Sequence, residues 1–313
     1  MYFYKKALLY LKNIFNFFLQ KIKKNNLIEI FICIFRYTFL VLFAIFLVFP
    51  FVFMIICALK NDQDILSSNF SFKPKEITFI NFYRVLKFQE IFQEFQIFKY
   101  FLNTVKMVFF STLLGTFISI ITAFCFSVLK FKSKKKLYTL LFLGMIITNE
   151  SLLLTNFRTV TSLKMTDTGD GLTITGGVYF AMILPFLVDI FHIFLLIENS
   201  EKVPKELYYA AKIDGTSDWN YLWKIWVPIL KPTIVTTIIF RSVAAWNSYM
   251  WPELVGGKLL TNTVRKFFYY ETETLTMNLQ MTISFLVILP LILIFLFFKK
   301  YIVTGELQSG IKG

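Results

Sequence analysis

The chain has 313 residues, 57% hydrophobic and 19% aromatic, and only 17% of them are charged. A water-soluble domain would carry about a quarter charged residues, so this composition excludes one. The formal net charge of +14 could suggest nucleic acid, but the basic residues sit beside long apolar runs, and that placement points to a lipid bilayer with no nucleic-acid partner.

The first 36 residues form a basic tail with Lys5, Lys6, Lys12, Lys21, Lys23, Lys24 and Arg36. Residues 1–24 read equally well as an interfacial amphipathic helix or as a disordered basic tail. No small-residue cleavage site marks a leader peptide. A span needs about 20 apolar residues, and six runs qualify or nearly do. They are Tyr37–Leu59, Leu102–Leu129, Leu137–Phe157 (containing Glu150), Gly177–Ile197 (Asp189 and His192), Thr233–Trp251 (Arg241) and Asn278–Phe298. The predicted organisation is a tail at 1–36, a first span at 37–59 and a loop at 60–101. A core of five spans at 102–303, with a polar insert at 201–232, and an end segment at 304–313 complete it. The fold class expected is all-α, polytopic and membrane-embedded. Cys33, Cys57 and Cys125 lie in or beside apolar runs and read as small buried hydrophobes. The single histidine argues against metal or triad chemistry.

Basic residues set orientation. The tail, the KFKSKKK turn at 130–136 and the end with Lys299, Lys300 and Lys312 are all expected on the cytoplasmic side. In a multi-pass plasma-membrane protein both termini would then be cytoplasmic, and so would the polar insert between spans four and five.

That insert, KVPKELYYAAKIDGTSDWNYLWKIWVPILKP, spans Lys202–Pro232. Pro204 can open a helix and Glu206 suits its positive end. Gly215 stands where a left-handed residue closes a helix. Thr216, Ser217 or Asp218 can cap a second helix, and Pro228 and Pro232 mark re-entry into the bilayer. An ordinary amphipathic interfacial loop has the same composition.

The insert resembles the "EAA" loop of the permease subunits of binding-protein-dependent ABC importers, a pattern close to P-x-E-L-x-E-A-A-x-I-D-G-A-S followed by I-x-L-P-x-x-x-P. It stands here as Pro204, Glu206, Leu207, Ala210, Ala211, Ile213, Asp214, Gly215 and Ser217, then Ile225, Val227, Pro228 and Pro232, without gaps. FPFVFMIICALK, the Trp246-Asn247-x-Tyr249-x-Trp251-Pro252 run and the terminal GIKG look like the carbohydrate-uptake branch, closest to the maltose or glycerol-3-phosphate type. The resemblance covers residues 37–313. It implies the six-span fold of that family, with the insert as a coupling helix docked on a separate cytoplasmic ATPase dimer. It also implies a homologous second permease, an extracytoplasmic solute-binding protein, and ATP and Mg held by the ATPase. Tyr209 replaces the motif glutamate, so an ionic contact of the family is lost at that position.

The chain lacks a G-x-x-x-x-G-K-[ST] loop, since Gly256-Gly257-Lys258 has neither the spacing nor the hydroxyl. No catalytic residue and no cofactor bound by this chain are therefore expected. The expected function is one half of an ATP-driven path for a sugar or polyol. An anionic solute such as a glycerol phosphate is the alternative substrate, and a secondary transporter without an ATPase is the alternative class.

Ionisable residues inside spans mark function or internal pairing. At 1.5 Å per residue, Asp189 and Arg241 both sit roughly 13 Å from the cytoplasmic edge, which predicts that they approach each other or share a polar cavity. His192 is one turn from Asp189 on the same face. These three, with Trp246, Asn247 and Tyr249, are candidates for the translocation path. A buried strut between spans four and five, and an interfacial aromatic belt, are the alternatives.

Overall fold

The computed structural model describes residues 27–66, 71–91, 97–147, 151–166, 176–269 and 277–310. Residues 1–26, 67–70, 92–96, 148–150, 167–175, 270–276 and 311–313 lie outside the described residues, and with them the expectations for the basic tail, Glu150 and the end of the terminal GIKG. The described residues are helical, with no strand among them.

α1 (Leu27–Ala58) is long and tolerates Pro50, as membrane helices do. Short α2 (Asp62–Leu66) and α3 (Ile80–Ile91) lead to α4 (Ile97–Ser127). α5 (Lys134–Leu143) and α6 (Leu153–Ser162) follow, then α7 (Gly176–Ile183) and α8 (Ile190–Ser200). The polar insert carries α9 (Lys205–Ile213), α10 (Asp218–Tyr221) and α11 (Val227–Ile229). α12 (Lys231–Trp246), α13 (Met250–Val255), α14 (Leu260–Tyr269) and α15 (Met277–Gly310) complete the chain.

The six expected spans are met in part. Among the described residues, three helices are long and apolar enough to cross a bilayer: Phe31–Ala58, Ile97–Ser127 and Met277–Phe297. Two bent pairs add up to two more, α7 with α8 at 48° and the insert's second half with α12 at 81°. The expected span Leu137–Phe157 is not one helix. α5 tightens into a 3-10 turn at Gly144–Ile146 and Ile147 is extended, with φ −85° and ψ 110°. The polar run Thr148–Ser151 breaks the apolar pattern there. Gly144 also lies so close to α8 that a Cβ would stand 2.7 Å from Ile190 Cδ1. The expected span Thr233–Trp251 ends early, at Trp246, and Trp251 belongs to α13. The last helix runs past the expected boundary at 303, to Gly310.

α4 is the hub of the bundle, packed against α12 and α8, while α15 packs against α1, α12 and α3. Lipid tails are as apolar as leucine, so packing inside a bilayer relies on small residues and on polar contacts. α4 has the required surface: Ser111, Gly115, Ser119 and Ala123 recur every four residues, and the three that carry side chains are buried. An apolar cluster closes each end of the bundle. One holds Phe124, Leu196, Leu222 and Trp226; the other holds Met107, Met182, Trp251 and Leu259.

Buried amides finish the outer segments. Asn81 Nδ2 donates to Ala58 O (2.8 Å) and Lys60 O (2.7 Å). Asn278 Nδ2 donates to Lys60 O (3.1 Å) and Asp62 Oδ1 (2.7 Å). Backbone carbonyls at the end of α1, which no helical N–H reaches, are thus satisfied from α3 and α15.

Candidate functional site

Between the two apolar clusters lies a polar layer built on α4, α8 and α12. Its centre is Arg241, which is buried. Arg241 Nη2 donates to Ser119 Oγ at 2.9 Å and to Leu187 O at 3.3 Å, and Nη1 donates to Phe186 O at 3.4 Å. The two carbonyls are free because α7 ends in a 3-10 turn at Leu184–Phe186 and α8 starts only at Ile190. A planar guanidinium can reach several such oxygens at once. Gly115 leaves room for it: a Cβ there would land on Arg241 Nη1 and stand 2.8 Å from Cζ. Thr112 Oγ1 and Ser242 Oγ, 3.3 Å apart, continue the layer.

Asp189 caps α8, accepting from His192 N at 3.4 Å. Its Oδ2 also lies 3.0 Å from His192 Nδ1, but off the line of a hydrogen bond, because neither ring nitrogen finds an aligned partner. That contact is ionic only when the ring is protonated. The hydrogen bonds of the Arg241 guanidinium go to the two carbonyls and Ser119, and none reaches Asp189 among the described residues.

The second constellation is the helical elbow. Pro204, with φ −59°, precedes the first turn of α9. Gly215 has φ +75°, and with Thr216 N donating to Ala211 O at 2.9 Å it closes α9 in a left-handed cap. Ser217 then caps α10 through Asn220 N at 3.3 Å. A π-helical turn, Leu222–Trp226, leads to Pro228, and Pro232 lies in the first turn of α12. The inner side is firm. Trp226 Nε1 donates to Ser200 Oγ at 2.8 Å and its ring meets Phe124 edge-on, 5.6 Å between centroids. Tyr208 OH donates to Asp218 Oδ1 at 2.8 Å, and Lys212 Nζ lies 2.7 Å from the same oxygen. The outer side presents Leu207, Tyr209, Ala210 and Ile213, and Ile213 is 87% exposed.

No family model matches the chain. Among curated proteins, it is 26% identical over 279 residues to the arabinooligosaccharides transport system permease protein AraQ of Bacillus subtilis, covering 88% of this chain and 94% of that one. It is 29% identical over 299 residues to the probable ABC transporter permease protein MG189 homolog of Mycoplasma pneumoniae, covering 90% and 89%. The lactose transport system permease protein LacG of Rhizobium radiobacter is 26% identical over 279 residues, covering 88% and 94%. The chain is similar along most of its length to permease proteins of sugar transport systems and to ABC transporter permease proteins. The fold agrees: a chain in the crystal structure of a bacterial ABC transporter involved in the import of the acidic polysaccharide alginate superposes with a TM-score of 0.75 at 17% identity, covering 88% of this chain and 98% of that one.

The six path candidates occupy different settings. Arg241, His192 and Trp246 are buried, and Trp246 Nε1 donates to Val287 O at 3.1 Å. Tyr249 is half-buried and Asn247 exposed, while the Asp189 side chain is 37% exposed. Residues that sequence reasoning passed over are Gly115, Ser119 and Ser200. The four-residue recurrence of small residues on α4 was the available signal for the first two; Ser200 had none.

The elbow carries a pH signature. Burial and then the hydrogen bond to Asp218 push the Tyr208 phenol up to about 12. Lys212 first, and Tyr208 second, hold the Asp218 carboxyl below its usual range. A depressed carboxyl contributes stability above its ordinary value and loses it as pH falls through the lowered one; a raised phenol loses its share as pH climbs from 10 toward 12. Elbow order, read from the fluorescence of Trp219 and Trp223, is expected to fall at both extremes, with the acid limb absent in Asp218→Asn.

Proposed function

We propose that this chain is one half of the membrane path of an ATP-driven importer for an oligosaccharide. Its elbow faces the cytoplasm and docks in a groove of a separate ATPase dimer. The chain crosses the bilayer six times with both termini inside, α5 and α6 with the residues between them supplying the third crossing. A homologous permease forms the other half, an external solute-binding protein delivers the sugar, and ATP and Mg reside on the ATPase.

The observation that carries this reading is the two-sided elbow. Its inner face is locked to α4 and α8 through Phe124, Trp226 and Ser200, while its outer face ends in apolar Ile213 with no cover. A lever needs a rigid base and a free apolar tip that a partner can bury. Tyr209 in place of the motif glutamate suits such docking: its ring lies 5.3 Å from Lys130 Nζ, so the tip is steadied by its own chain. Arg241 is already bonded to carbonyls and Ser119, which favours a neutral sugar over an anionic solute. On this reading Arg241 and Trp246 hold the path together, while Asp189 and Asn247 face it.

Proteoliposomes holding the chain, its co-purified partners and the binding protein are expected to take up labelled oligosaccharide only with internal ATP. Uptake driven by an ion gradient without ATP would establish a secondary transporter instead.

A further inference from the structure

A cleft of about 930 Å³ opens where the α4–α5 turn meets the elbow, lined among others by Lys130, Lys132, Lys134, Lys135 and Lys205 against one acid, Glu201. From these residues and this placement we infer that the cleft binds the phosphate headgroup of an anionic glycerophospholipid. The inference rests on the chain spanning a membrane, not on which solute it moves.

Charge comes first. Lys134 is partly engaged, donating to Leu129 O at 3.1 Å and Ser127 O at 3.4 Å, and Lys130 lies over the Tyr209 ring. The ammonium groups of Lys132, Lys135 and Lys205 have no hydrogen-bond or ion-pair partner among the described residues. Crowding of like charge leaves its mark on Lys134, whose ammonium is held below its ordinary value by desolvation and then by Lys205, with Glu201 offsetting and Lys130 adding to it. Five cations around one carboxylate create a field that a phosphate would neutralise. The first turn of α5 adds to it, with three lysines and no acid at the positive end of a helix.

Apolar contacts separate a lipid from free phosphate. Phe126, Tyr138 and Ile197 form part of the cleft wall, and a small inorganic anion would leave them wet. Beside the cleft, α5 leaves Leu137, Leu140, Phe142 and Leu143 exposed, a surface that acyl chains can cover. Basic pockets beside membrane helices on the cytoplasmic face bind such headgroups.

The test places the full chain in nanodiscs of phosphatidylcholine with a minor fraction of spin-labelled phosphatidylglycerol. The wild-type chain should retain motionally restricted phosphatidylglycerol in preference to labelled phosphatidylcholine. Lys132→Gln, Lys135→Gln and Lys205→Gln combined, all at exposed positions, should lower that preference on the order of tenfold. Lys224→Gln with Lys231→Gln, exposed on the elbow but outside the cleft, should leave it unchanged. No preference in the wild-type chain, or a preference untouched by the triple variant, overturns the inference. Release of the labelled lipid by millimolar inorganic phosphate makes free phosphate the occupant and overturns the lipid assignment. Extraction of the chain from pure phosphatidylcholine liposomes by alkaline carbonate would sink the membrane-spanning reading itself, an outcome separate from loss of headgroup preference alone.

Discussion

Gly115→Val collapses the polar layer at the centre of the bundle. Its Cβ would fall on the Arg241 guanidinium, whose Cζ would be 2.8 Å away, so the arginine must leave or α4 and α12 must part. If it leaves, Phe186 O, Leu187 O and Ser119 Oγ lose their donor and a cation is stranded in an apolar setting. Overpacking and orphaned acceptors together cost on the order of 3 kcal/mol. The midpoint of thermal unfolding in detergent, followed by fluorescence-detected size exclusion, is expected to drop by roughly 5 °C. Gly115→Ala should show a smaller fall. The double variant Gly115→Val, Arg241→Met should recover part of the loss, because removing the guanidinium makes room for the branched side chain. Strictly additive effects of the two changes would show that residues 115 and 241 do not share this space.

Ile213→Asp separates transport from stability. Ile213 is 87% exposed at the end of α9, so folding loses almost nothing when it becomes polar, and the unfolding midpoint should stay within a degree or so of wild type. A carboxylate at the tip of a docked lever, in contrast, would be buried without a partner. Loss of one interface anchor of this kind costs about 2 kcal/mol or more, so co-purification of the ATPase and ATP-driven uptake are expected to fall at least about tenfold. Lys224→Gln, exposed on the same elbow, serves as the control. Undiminished uptake by Ile213→Asp would remove the elbow from the coupling mechanism.

Much of the elbow was legible in one dimension. Pro204, Gly215 and Ser217 act through local backbone preference, and the helix start, left-handed stop and cap they predict are the ones observed. The expected span Leu137–Phe157 was less legible. A window of mean hydropathy averages over Thr148–Ser151 and cannot register that Gly144 sits against Ile190. Arg241 was expected at the same depth as Asp189, and its guanidinium bonds instead to Phe186 O, Leu187 O and Ser119 Oγ. The partners of its guanidinium were not foreseen, because carbonyls become available only where a helix breaks, and that depends on the path of the backbone between α7 and α8.

The amino-acid sequence by itself determined the membrane class, the all-helical content, the polar elbow and the kinship with sugar-uptake permeases, because hydropathy, proline, glycine and capping residues act over a few neighbours in the chain. Only the tertiary structure decided that Arg241 is held by α4 and the break before α8, and that the lysines of the α4–α5 turn face Lys205 across a cleft. Those choices join residues more than fifty positions apart, and the partners are set by close helix approach at small side chains and by which polar atoms the backbone leaves unsatisfied.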